Sequence, residues 1–221
     1  MSHSPMHTGG GLGRLALALV AGAALLAGCG GRTPATRYYD LAAPPAAVAK
    51  SGPVIVLEQL ATDEAYDDER IVYRTSKYRH DYYDYHRWSA PPGVMVGNYL
   101  ERGLERSGHF GAVTRDVTRD ATVVLTGRVV AIEEIDVSKK AWEGHLVLEL
   151  RLVDTLSGES LWSEQYEESE PLARQNPEGL AEAISVAMGR IVERAAPAIS
   201  ARLSEHIAAN AGTDGAANRA P

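Results

Sequence analysis

Trp142-Glu143-Gly144-His145-Leu146-Val147-Leu148-Glu149-Leu150-Arg151-Leu152 is the stretch that decides the fold. Positions 142, 146, 148, 150 and 152 are large and apolar, Gly144 interrupts, and Glu143, His145, Glu149 and Arg151 fall between them. Successive strand side chains point to opposite faces, so one face here is dry and the other wet, as in an antiparallel sheet covered on one side. Downstream, residues 154–160 supply turn residues around Gly158, and Leu161-Trp162-Ser163-Glu164-Gln165-Tyr166 returns as a strand. Upstream, residues 123–132 form a β-prone run that is apolar on both faces, as a central strand requires.

Two helices flank these strands. Pro91-Pro92 opens one that runs to about Ser107, striped by Val96, Leu100 and Leu104 and stopped by Gly108. Asn176-Pro177 is a cap and first-turn pair for the other, which carries Leu180, Ile184, Met188, Ile191 and Val192 on one side. Pro197 is expected to kink or break it, with Ile199, Leu203 and Ile207 continuing the stripe. Val54-Ile55-Val56-Leu57 reads as a buried strand, followed by an acidic loop through Asp63, Glu64, Asp67, Asp68 and Glu69. Ile71-Val72-Tyr73-Arg74 and the aromatic segment 82–88 make a strand pair. The order strands–helix–strands–helix predicts one α+β domain, a mainly antiparallel sheet with helices packed on one face. It spans residues 53–208. Residues 209–221, poor in large apolar groups, are expected to be a disordered tail.

The chain begins differently. Residues 15–27 are almost wholly apolar behind Arg14, too short a run to span a hydrocarbon core of about 30 Å, and read as a secretory signal over residues 1–28. It ends at Leu26-Ala27-Gly28-Cys29, and Cys29 is the only cysteine. Thiolate chemistry makes it the predicted lipid-attachment residue. Residues 29–52, rich in Gly, Ala and Pro, are expected to be a flexible tether, with an edge strand within 37–41. No intramolecular disulfide is available. With 22 basic and 29 acidic residues, and no basic cluster larger than Lys139-Lys140, neither nucleic acid nor an anionic lipid surface is an expected partner of the folded domain.

Seven of the ten tyrosines fall between residues 66 and 99, beside Arg74, Arg79, Arg87 and Trp88. On a regular strand Tyr82, Asp84, His86 and Trp88 share one face, and Tyr83, Tyr85 and Arg87 the other. Rings on both faces are compatible with a partner-binding surface, with core packing, or with a small-molecule cradle. Arg74, Tyr85 and Trp88 are the candidate contact residues for a partner, since such side chains dominate interface hot spots. His80, Asp84 and His86 follow one another at about 6.6–7 Å along a strand and do not converge on a metal. The acidic loop lacks the spacing and turn glycine of a calcium loop. No cofactor motif and no catalytic signature of the common hydrolase or nucleotide-binding kinds is present, so the reading is a non-enzyme.

Several of these segments together resemble a known family. They are the apolar leader with Cys29, Tyr38-Tyr39-Asp40-Leu41, Ile71-Val72-Tyr73-Arg74, the segment ending Tyr85-His86-Arg87-Trp88-Ser89-Ala90-Pro91-Pro92, Leu104-Glu105-Arg106-Ser107-Gly108-His109-Phe110, and Asp154…Gly158…Leu161-Trp162. In this order they resemble the ABC-type transport auxiliary lipoproteins, the PqiC-like family. The resemblance implies a lipoprotein at the outer membrane of a Gram-negative bacterium, held on its periplasmic face by acyl chains on Cys29. It also implies an accessory role beside an MCE-type protein of an ABC transporter that moves lipids or other hydrophobic compounds, and it leaves a homo-oligomer open. Gly30, where inner-membrane retention would want Asp, favours the outer membrane. The alternatives are a lipid-binding carrier with its own apolar cavity, a periplasmic hydrolase, or an adaptor of another export system.

Overall fold

The computed structural model describes residues 33–45, 47–116, 122–138 and 140–217. The signal segment and Cys29 lie outside the described residues. A compact unit begins at Thr36. Its elements are β1 (Arg37–Tyr39), β2 (Val54–Leu57), β3 (Ala61–Thr62), β4 (Arg70–Ser76), β5 (Arg79–Trp88), α1 (Pro92–Arg106), β6 (Ala112–Thr114), β7 (Val123–Ser138), β8 (Ala141–Asp154), β9 (Ser160–Pro171) and α2 (Pro177–Ala217).

The alternation in β8 does what its pattern requires. Leu146, Leu148, Leu150 and Leu152 are fully buried, while Arg151 on the other face is exposed. Antiparallel ladders join β8 to β7 from Val123↔Asp154 to Ser138↔Ala141, and to β9 from Glu143↔Pro171 to Val153↔Ser160. The other edge of β7 is shared by three strands in parallel register: β2 at Val124 and Leu125, β3 at Arg128 and Val129, β4 at residues 133–135. β6 extends the sheet beyond β2; β5, then β1, extend it beyond β4. The fold is α+β, an open mixed sheet whose longest ladders are antiparallel, with helices on one face.

Both helices start on signals present in the sequence. Pro92 opens α1, and Gly108, in the left-handed region at φ 79°, follows its end. Asn176 Oδ1 accepts from the Gly179 N–H at 2.8 Å ahead of α2. Leu180, Ile184, Met188 and Ile191 of α2 are fully buried, with Leu180 and Ile184 lying over Gly144 of β8. Gly103 of α1 faces Val192 of α2 so closely that an added Cβ would lie 2.8 Å from a valine methyl.

Three expectations need correction. α2 is one helix across Pro197, so the expected break does not occur: the ring costs a backbone hydrogen bond, but Ala195, Ala196 and Ile199 are fully buried around it and hold the helix on the core. α2 also continues through Ala217, so residues 209–217 of the expected tail are helical, and 218–221 lie outside the described residues. Finally, part of the expected tether lies along α1. Arg106 donates to the carbonyls of Pro44 and Pro45, and the Val48 N–H donates to the Arg106 carbonyl. Leu41, just ahead of these residues, is buried, and the following Ala42 N–H donates to Ser185 Oγ of α2, which anchors a stretch whose composition alone reads as linker.

Candidate functional site

The aromatic strand pair divides its residues among three environments. Trp88 is 0% exposed, in the core, so it is not available to a partner. The reason is a break in register: Val72 pairs with Tyr82 but Arg70 with Arg87, so two residues along β4 span five along β5. That irregularity scrambles simple alternation and turns the tryptophan inward.

Arg74 is committed to a second environment, on the sheet face away from α2. Its Nη2 donates to Glu133 Oε1 at 2.7 Å and Oε2 at 2.8 Å. Tyr66, folded back from the acidic loop, donates to Glu133 Oε2 at 2.9 Å, and His145 Nδ1 lies 3.2 Å from Oε1. Glu133 is fully buried. Burial pushes its carboxyl up, but the bonds from His145, Arg74 and Tyr66 outweigh that and hold it below its ordinary value. His145 places its other nitrogen 3.1 Å from Glu167, and the bond to Glu133 chiefly holds the imidazole above its ordinary range. A carboxylate at each nitrogen favours the imidazolium form.

A third environment lies on the α2 side of the same strand. Glu134 is also fully buried, and Tyr83 donates to its Oε1 at 2.8 Å. Its other oxygen finds no conventional donor, nor does Asp136 Oδ1, yet the two carboxyl groups are within hydrogen-bond reach of each other. Burial first, then Asp136, pushes Glu134 up to about 7. One proton shared by the pair satisfies both orphaned oxygens. Tyr73 and His86 pack on the Tyr83 ring, and Tyr39 Oη lies 2.8 Å from His86 Nδ1.

The three candidate contact residues are therefore not one patch. Tyr85, 38% exposed, is the member that faces solvent, and Tyr38 of β1 at 63% and Tyr78 in the β4–β5 turn at 96% are also exposed. Sequence reasoning missed Glu133 and Glu134, although two adjacent acids extending a β-prone apolar run were the available signal. Among the described residues no three His, Cys, Asp or Glu side chains are grouped to hold a metal. None of the described helices is long and apolar enough to cross a membrane. An open groove of about 770 Å³ runs between residues 38–45 and α2; Leu41, Tyr99 and Val186 line it, and Arg190 and Glu193 flank it.

Comparison with known proteins gives this domain its relatives. The ABC-type transport auxiliary lipoprotein component family matches residues 39–196. A Xanthomonas campestris protein of known crystal structure is 15% identical, with a TM-score of 0.65 over 77% of this chain and 98% of that one. A second crystal structure, of an uncharacterized protein, is also 15% identical, with a TM-score of 0.64 over 76% and 100%. At such identities the likeness shows the fold. No curated protein sequence matches the chain. The family match covers most of the domain just described, so the chain belongs to the ABC-type transport auxiliary lipoprotein component family.

Proposed function

We propose that this protein is held by acyl chains on Cys29 at the periplasmic face of the outer membrane and serves as an adaptor of an MCE-type ABC system moving lipids or hydrophobic compounds. The observation that carries the reading is a lone cysteine, directly behind an apolar leader, ahead of a transport-auxiliary domain. Two or more buried acyl chains make such attachment durable, at about 0.8 kcal/mol per methylene. The role is positional: the anchor sets the location, and the exposed Tyr85 meets the transporter's partner protein. Arg74 contributes by holding Glu133 and the strand pair that carries that ring, rather than as a contact.

The test is replacement of Cys29 by Ser. The wild-type chain takes up labelled palmitate and fractionates with outer membrane; Cys29→Ser does neither. Cross-linking at Tyr85 in intact cells captures an MCE-type protein. Palmitate on the serine variant, or a cross-link only to unrelated proteins, overturns the corresponding half of the reading. The groove beside α2 favours a second reading, in which the domain itself holds an acyl chain, because its volume is in the range of ligand sites. Lipid co-purifying with the Cys29→Ser protein, seen by mass spectrometry, supports that reading, and its absence removes it.

A further inference from the structure

The topology brings two hairpin tips to one end of the sheet. β4 and β7 are parallel neighbours through Arg74↔Ile135. β4 reverses into β5 at Lys77 and Tyr78, and β7 reverses into β8 just past Ser138. Adjacent strands lie about 4.8 Å apart, so turns more than sixty positions apart in sequence are side by side.

These tips are not built for the core. Tyr78 is 96% exposed, and Lys77 and Lys140 are exposed without an ion pair among the described residues. Arg79 is taken by Asp81 at 2.6 Å. The acids nearby are mostly committed: Asp136 to Glu134, and Glu178 and Glu182 to Arg174. Glu143, set back on β8, has no ion pair among the described residues. A fully exposed ring between two basic residues stabilises nothing inside the fold. It is the composition of a membrane interface, where tyrosine sits at headgroup level and ammonium groups meet phosphate.

We propose that Lys77, Tyr78 and Lys140 form a docking tip for an anionic lipid surface, which sets the orientation of the domain against its membrane. The sequence shows no such basic cluster because these residues meet only through the parallel β4–β7 pairing, and the expectation of no anionic-lipid partner is revised accordingly. The inference rests on the anchored reading given above for its setting. Two further observations favour a bilayer as the occupant. The chain as a whole is acidic, at −7, so an anionic surface repels the rest of the molecule and admits it tip first. β1 runs parallel to β5 with Arg37 opposite His86, seven residues back from Arg79, or about 23 Å at strand rise. Cys29 stands eight residues before Arg37, a contour of about 26–29 Å at most, so anchor and tip are within reach of one surface.

The test uses the full mature chain carrying Cys29→Ser, so that no acyl group contributes. At low salt it sediments with phosphatidylglycerol-rich vesicles at least about fivefold more than with phosphatidylcholine vesicles, and added salt removes the difference. Lys77→Glu with Lys140→Glu abolishes the preference, and Tyr78→Ser weakens it. Equal sedimentation with both vesicles, or a double variant indistinguishable from its parent, overturns the proposal. Palmitate labelling of the wild-type chain reports the anchor separately, so failure of one reading is distinguishable from failure of the other.

Discussion

Glu134 is a carboxyl group in the wrong solvent, and its chemistry follows from that. In the unfolded chain it titrates near 4.5, whereas burial and the neighbouring Asp136 push it up to about 7 in the fold. Between those values the native state keeps a proton that the unfolded state has released, so stability falls as pH rises across that window and levels off above it. The groups facing it are Asp136 on its own strand and Tyr83 from β5, with Tyr73 of β4 as its register partner. Glu134→Gln keeps an acceptor for Tyr83 and gives Asp136 a permanent donor. It is expected to flatten the pH dependence by about 3 kcal/mol between pH 5 and 8, measured by urea unfolding against the parent. An unchanged slope refutes the shared proton. The acid pair at 133–134 was visible in the sequence as an interruption of an apolar run, but its burial was not. The Glu134 proton is set by burial, by Asp136 and by Tyr83 of β5, a strand that reaches β7 only through the parallel β4 pairing that no local pattern announces. Trp88 was misread for a related reason: its orientation depends on the β5 irregularity opposite Arg70 and Val72.

At the scale of elements, the two helices meet through glycines with opposite tolerances. Gly103 and Gly189 both lie inside helices, where alanine gains about 0.5–1 kcal/mol from propensity alone. At Gly189 an added Cβ meets only Tyr99 Oη at 3.7 Å, so Gly189→Ala is expected to raise the melting temperature by a few degrees. At Gly103 the Cβ lands 2.8 Å from a branched valine that cannot swing away. Overpacking there costs about 1–3 kcal/mol, more than propensity returns, so Gly103→Ala lowers the melting temperature. Calorimetry on the pair checks both signs; a stabilised Gly103→Ala would mean that α1 and α2 slide apart freely. The elements themselves were the legible part of the fold. Alternation in β8, the proline and asparagine starts of the helices and their apolar stripes are local signals, and the structure follows them. Pairings were not, because β2, β3 and β4 meet β7 across some 60 to 70 residues of chain. The helical course of residues 209–217 was hidden by a composition with few large apolar groups.

For the whole molecule, one strand decides how the fold comes apart. β7 pairs with β2, β3, β4 and β8, so the β5–β1 end and the β8–β9 end are both attached to the same sixteen residues. Neither end has a separate core: Trp88 of β5 belongs to the same buried cluster as Leu148 of β8 and Ile184 of α2. With one cysteine in the chain there is no disulfide to hold part of it together, so reductant leaves stability unchanged. Unfolding of the domain is therefore expected to be a single cooperative step. The three tryptophans make this measurable, since Trp88 reports the β5 end while Trp142 and Trp162 report β8 and β9. In urea, far-ultraviolet circular dichroism should give one midpoint, shared by the tryptophan fluorescence of Trp142→Phe/Trp162→Phe and Trp88→Phe variants once each variant's own stability is subtracted. Separate midpoints for Trp88 and the other two would show that the aromatic strand pair melts alone, and that β7 does not couple the partner-facing strands to the helix-covered core.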